Sequence, residues 1–76
     1  MSGIRKVMLG KDTLPVVWSE CRDDGGMFSA EVGVAASGIR FVAYVKDGWG
    51  GGGRCTRDSE EAARAEIDRL WERLYG

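Results

Sequence analysis

The run "DDGGMFSAEVGVAASGIRF", residues 23–41, sets two turn signals on either side of one alternating segment. Asp24-Gly25 stands between apolar runs, and such a pair is a strong short-range hairpin signal because both residues tolerate the positive φ of tight turns. Symmetric pairing about it sets Cys21 opposite Phe28, Ser19 opposite Ala30 and Val17 opposite Val32. Phe28, Ala30, Val32 and Val34 then take one face, while Ser29, Glu31 and Gly33 take the other. A four-residue loop, Ala35 to Gly38, pairs Val34 with Ile39, Val32 with Phe41, Ala30 with Ala43 and Phe28 with Val45. Both hairpins send the same residues to the same face, and a one-residue slip would invert every side chain. A three-stranded antiparallel meander follows. Residues 4–9, "IRKVML", offer a fourth strand, with Pro15 at the boundary.

The helix comes last, over about residues 58–75. "DSEE" fits a capping arrangement, with Asp58 as N-cap and Glu61 reaching back to open backbone amides. Ala63, Ile67, Leu70, Trp71 and Leu74 form one apolar stripe. Glu60 with Arg64, and Glu66 with Arg69, are spaced to pair on the wet side. The stripe is expected to lie across Phe28, Val32, Phe41 and Val45. The expected fold class is α+β: a three- to four-stranded antiparallel meander with one C-terminal helix packed on one face. It forms a single domain, with the sheet at about 4–46, a glycine-rich loop at 47–57 and then the helix.

The bulk numbers limit the chemistry. With 76 residues and 43% apolar content, the chain is globular but buries only a small core. Eleven basic and twelve acidic residues leave a net charge of −1, unlike the basic balance of a dedicated nucleic-acid binder. There is no histidine, the commonest general base and metal ligand. Cys21 and Cys55 lack CxxC spacing and read as reduced thiols; Cys55, between Arg54 and Arg57, has no base beside it in sequence. No metal or cofactor is called for, and catalysis is not expected. The N-terminal stretch lacks the apolar run of a signal peptide, and no segment is apolar and long enough to span a membrane.

"DGWGGGGRC", residues 47–55, places Trp49 among five glycines. Gly48 to Gly53 match G-x-G-x-x-G, but no further strand follows the helix, as a dinucleotide fold requires. A phosphate-cradling P-loop fails too, since Arg54-Cys55 stand where Lys and Ser/Thr belong. The glycines read as slack between strand and helix. Trp49 either stands out as a contact anchor, flanked by Lys46, Asp47 and Arg54, or folds back as a lid on the sheet edge.

On the face away from the helix, the pairing puts Trp18, Glu31 and Val42 in a row, with Glu20, Ser29 and Tyr44 on one side and Val16, Gly33 and Arg40 on the other. That face is more apolar than a solvated one. Two occupants suit it: residues 1–12, with Ile4, Val7 and Leu9 as cover, or a partner. For a partner, the contact candidates are Trp49, Tyr44, Trp18, Glu31 and Asp47, with Asp23 and Asp24 next.

Three strands at 16–21, 27–34 and 39–46 followed by "SEEAARAEIDRLWERL" resemble in layout the arm-binding domains of phage-type integrases, which lay an open sheet face into DNA. Here Glu20 and Glu31 on that face would oppose phosphates. In length, strand-strand-strand-helix order and slight acidity, nearly the whole chain resembles the small phage-encoded anti-CRISPR proteins. That resemblance implies a non-enzymatic inhibitor, a monomer or weak homodimer in the cytoplasm of a bacterial host. Its partner would be a CRISPR effector complex rather than nucleic acid or membrane. Target DNA would be kept out, with carboxylates imitating phosphates.

Overall fold

A computed structural model describes residues 5–23, 29–48 and 52–75. They form five strands and a helix: β1 (Lys6–Leu9), β2 (Asp12–Asp23), β3 (Ser29–Ser37), β4 (Arg40–Asp47), β5 (Gly52–Arg57) and α1 (Glu60–Tyr75). The sheet is an antiparallel meander in the order β1-β2-β3-β4-β5. The α+β layout is therefore as read, but with five strands instead of three or four.

Two tight turns set the hairpins. Gly10 (φ 67°) leads the connection from β1 to β2, and Gly38 (φ 63°) leads the one from β3 to β4. A leading glycine with positive φ is what a two-residue hairpin turn of this hand needs. Ser37 accordingly pairs with Arg40, so the expected four-residue loop from Ala35 is in fact strand up to Ser37. The register moves by an even number of residues, so each face keeps its expected side chains. Val34 meets Ala43 and Val32 meets Val45 on one face; Gly33 meets Tyr44 and Ala35 meets Val42 on the other.

The β2–β3 register differs more. Asp23 pairs with Ser29, Cys21 with Glu31, Glu20 with Val32 and Trp18 with Val34, three residues along from the expected pairing. An odd shift inverts faces. The Asp24-Gly25 turn and Phe28 lie outside the described residues. At Val17 the ladder carries a bulge, because Val16 pairs with Ala35 and Trp18 with Val34. One surplus residue there reverses the alternation. Leu14 and Val16 face the side of Tyr44, while Trp18, Glu20 and Arg22 face the side of Val32. Pro15 is no boundary but a member of β2, opposite Lys6. The Val16 amide bonds the Arg5 carbonyl at 2.7 Å, so the missing Pro15 N–H falls on the other side, beyond the last β3 pair.

The helix seals the Val32 face. Ala30, Val32, Val34, Ala43 and Val45 pack beneath Ala63, Ile67 and Leu70, with Phe41, Cys55, Trp71 and Tyr75 at the margins. Burying an Ile or Leu side chain stabilises by about 1.5–3 kcal/mol. Ser59 is the helix cap in place of Asp58: its hydroxyl accepts from the Ala62 amide at 3.1 Å and its carbonyl from the Ala63 amide at 3.0 Å. The expected loop at 47–57 is in part strand β5. Gly53 lies under the helix, where a Cβ would sit 3.6 Å from both Leu70 and Leu74.

The opposite face is roofed by the β1–β2 hairpin. Val7 and Leu9 cover Ala35, Val42 and Tyr44, with Leu14 and Val16 beside them. Of the two occupants offered by the sequence, the chain's own start takes the face.

Candidate functional site

Tyr44 is fully buried, so its expected place on an open surface is corrected. Its ring lies over Gly33, where a Cβ would stand 2.8 Å from the ring and 2.7 Å from the hydroxyl. The hydroxyl donates to Glu31 Oε2 at 2.5 Å. Glu31 also accepts from Arg5 Nη2 at 2.8 Å, and Arg5 Nη1 donates to Ser19 Oγ at 3.0 Å. Burial first, and the Glu31 hydrogen bond and charge next, push the Tyr44 phenol well above its ordinary value of 10. It is held protonated as a donor, so Arg5, Glu31 and Tyr44 act as a polar clasp between roof and sheet.

Trp18 is not beside Glu31 and Val42. The odd shift of the β2–β3 register turns it to the helix side, half-buried, with the Arg64 guanidinium 4.2 Å from its ring centroid. Arg64 is thus engaged with Trp18 in place of the expected Glu60, whereas Arg69 does reach Glu66, at 3.8 Å. Asp23 and Asp47 flank the start of β3, opposite Ser29 and Ala30. Asp47 accepts from the Tyr75 hydroxyl at 3.0 Å. Trp49 and Asp24 lie outside the described residues. The candidate contacts therefore divide between two faces: Tyr44 and Glu31 under the roof, Trp18 on the helix side.

A different row comes together where α1 meets β2. Arg64 stacks on Trp18; Arg22 bonds Asp68 at 2.8 Å and stands 5.6 Å over the Trp71 ring; Trp71 meets Tyr75 at 4.6 Å between centroids. Residues 64, 68, 71 and 75 make one helical stripe beside the buried one, a spacing already present in the sequence. Without the observed β2–β3 register, however, nothing put Trp18 and Arg22 next to it.

Chemically, these arrangements offer aromatic faces, guanidinium donors and carboxylates. Among the described residues, no group of three or more Cys, Asp and Glu side chains is gathered to hold a metal ion. Cys21 is exposed and Cys55 half-buried against the helix core. No helix among the described residues is long and apolar enough to cross a membrane. Searches against protein-family models, curated proteins and solved structures find no match to this chain.

Proposed function

We propose that the chain is a small non-enzymatic inhibitor of the anti-CRISPR type, which docks on a protein of a CRISPR effector complex and keeps target DNA from it. The observation carrying the docking part is the row of Trp18, Arg22, Trp71 and Tyr75, all half-buried, with the exposed Arg64, along the α1–β2 flank. Tryptophan, tyrosine and arginine dominate binding hot spots, since each offers large contact area with a polar tip. The class of partner rests on the resemblance in length and charge balance. The alternative, a DNA-binding module of the integrase-arm type, needs an open sheet face, and the β1–β2 hairpin covers that face.

The test is a binding titration of the full chain against purified multisubunit CRISPR effector complexes and, separately, against duplex DNA at two salt concentrations. Saturable binding to an effector is expected, weakened at least about tenfold by Arg64→Glu combined with Trp71→Ala. Strongly salt-dependent duplex binding with no effector binding would overturn the proposal in favour of the DNA module.

A further inference from the structure

The end of β1 is held by two cations. Lys46 Nζ donates to the Met8 carbonyl at 3.2 Å, and Arg54 Nη1 donates to the Leu9 carbonyl at 2.9 Å. Lys46 pairs with Gly52 and Tyr44 with Arg54, so Lys46 and Arg54 are diagonal neighbours on the roofed face, close enough to share one ligand. Both line a cleft of about 350 Å³ between the β1–β2 turn and the β4–β5 end. No carboxylate is among its described lining residues, and neither cation makes an ion pair among the described residues. A carbonyl oxygen satisfies a proton but leaves the formal charge unbalanced.

The cleft is shaped as well as charged. Gly52 stands at φ 139°, with its Cβ position 2.0 Å from the Val45 carbonyl oxygen, so that wall stays bare main chain. The Arg54 guanidinium lies against the turn, 3.7 Å from the Cβ position of Gly10. Met8 and Leu9 supply the apolar side chains of the lining, and Val45, whose side chain lies under the helix, contributes main chain only.

We infer that this cleft binds a small phosphomonoester, its phosphate between Lys46 and Arg54 and its apolar body against Met8 and Leu9. A phosphomonoester carries about −1.5 to −2 charges at pH 7 and so matches two cations, whereas a carboxylate matches one. Arginine offers a planar fork to phosphate oxygens and lysine a point charge. The volume is at the lower end of small-molecule sites. The cleft lies on the face opposite the aromatic row, so this inference stands apart from the proposed inhibitor role.

The test titrates the ¹⁵N-labelled full chain with phenyl phosphate, inorganic phosphate and benzoate at constant ionic strength. Saturable amide shifts are expected at Gly10, Lys46, Gly52 and Gly53, with phenyl phosphate at least about threefold tighter than inorganic phosphate and benzoate about tenfold weaker. Phenyl phosphate affinity should rise at least about twofold between about pH 5.5 and 7.5, as the second ionisation near 6 adds the second charge. Lys46→Gln, which keeps the Arg54–Leu9 bond, should weaken binding at least about fivefold, and Lys46→Arg should retain it. Shifts scattered over the surface without saturation, benzoate binding equal to phenyl phosphate, a flat pH response on the unsubstituted chain, or full affinity in Lys46→Gln would each overturn the inference.

Discussion

The two faces of the sheet are closed by different means. On the helix side, eight buried apolar residues meet across β3, β4 and α1, and a sixteen-residue helix does the covering. On the other side Val7 and Leu9 of a four-residue strand cover three buried residues, Ala35, Val42 and Tyr44, and polar groups pin it: the Arg5–Glu31–Tyr44 clasp, Lys46 on Met8 and Arg54 on Leu9. Apolar burial is indifferent to pH and nearly so to salt, whereas hydrogen-bonded charges respond to both. The helix side therefore sets overall stability, and the roof is the part that conditions can loosen. Local opening of the lowest-stability element before global unfolding is the general pattern.

The sharpest way to break this contrast is Ile67→Ala, which opens a cavity under the helix. It should cost about 2–5 kcal/mol in urea unfolding; a loss under about 1 kcal/mol would mean that the helix is not the main seal. Gly33→Ala comes next. The added methyl meets the Trp18 carbonyl oxygen at 2.5 Å and the Tyr44 ring at 2.8 Å, main chain on one side and a locked ring on the other. About 1–3 kcal/mol should be lost, with amide exchange in β1 accelerated more than in α1; equal acceleration in both would blur the two faces into one cooperative unit.

Tyr44→Phe removes the clasp's donor and should cost about 1–2 kcal/mol at neutral pH. The native phenol has a folded-state pKa above its unfolded value of 10, so its stabilisation is complete below pH 10 and lost as pH rises beyond that. The variant's alkaline decline should be shallower, with Tyr75, also raised by burial and then by its Asp47 hydrogen bond, leaving a residual slope. Identical alkaline slopes in the two chains would remove Tyr44 from the account. The smallest effect belongs to Arg5→Gln. Its ion pair with Glu31 is largely exposed on the arginine side, so a cost below about 1 kcal/mol is expected. That cost should shrink further in about 1 M salt.

The helix and the sides of β3 and β4 were legible because periodicity survives an even change of register: Val32 and Val45 share a face whether or not they are direct partners. Pairing of β2 was not legible. It depends on the surplus residue at Val17, which no propensity marks, and on an odd register shift at a hairpin read from Asp24-Gly25. The odd shift moved Trp18 to the other side and with it the candidate site. Gly52–Arg57 read as loop because glycine is a poor strand former, yet Gly53 suits β5 as the residue that leaves room for Leu70 and Leu74. The Arg64, Asp68, Trp71 and Tyr75 spacing lies in the sequence, but Trp71 reads there as part of the apolar stripe and the β2 neighbours were not legible.

Val17 sits where β2 passes from roof to sheet, half in water, with its own side chain contributing little. What matters there is that a residue exists at all. Removing it would bring Trp18 down over Gly33 and Tyr44, or else push Leu14 and Val16 outward, whereas exchanging its side chain disturbs neither. Along this stretch, drift is expected to change letters freely while the count between Pro15 and Trp18 stays constant, since spacing, not chemistry, is what the site imposes.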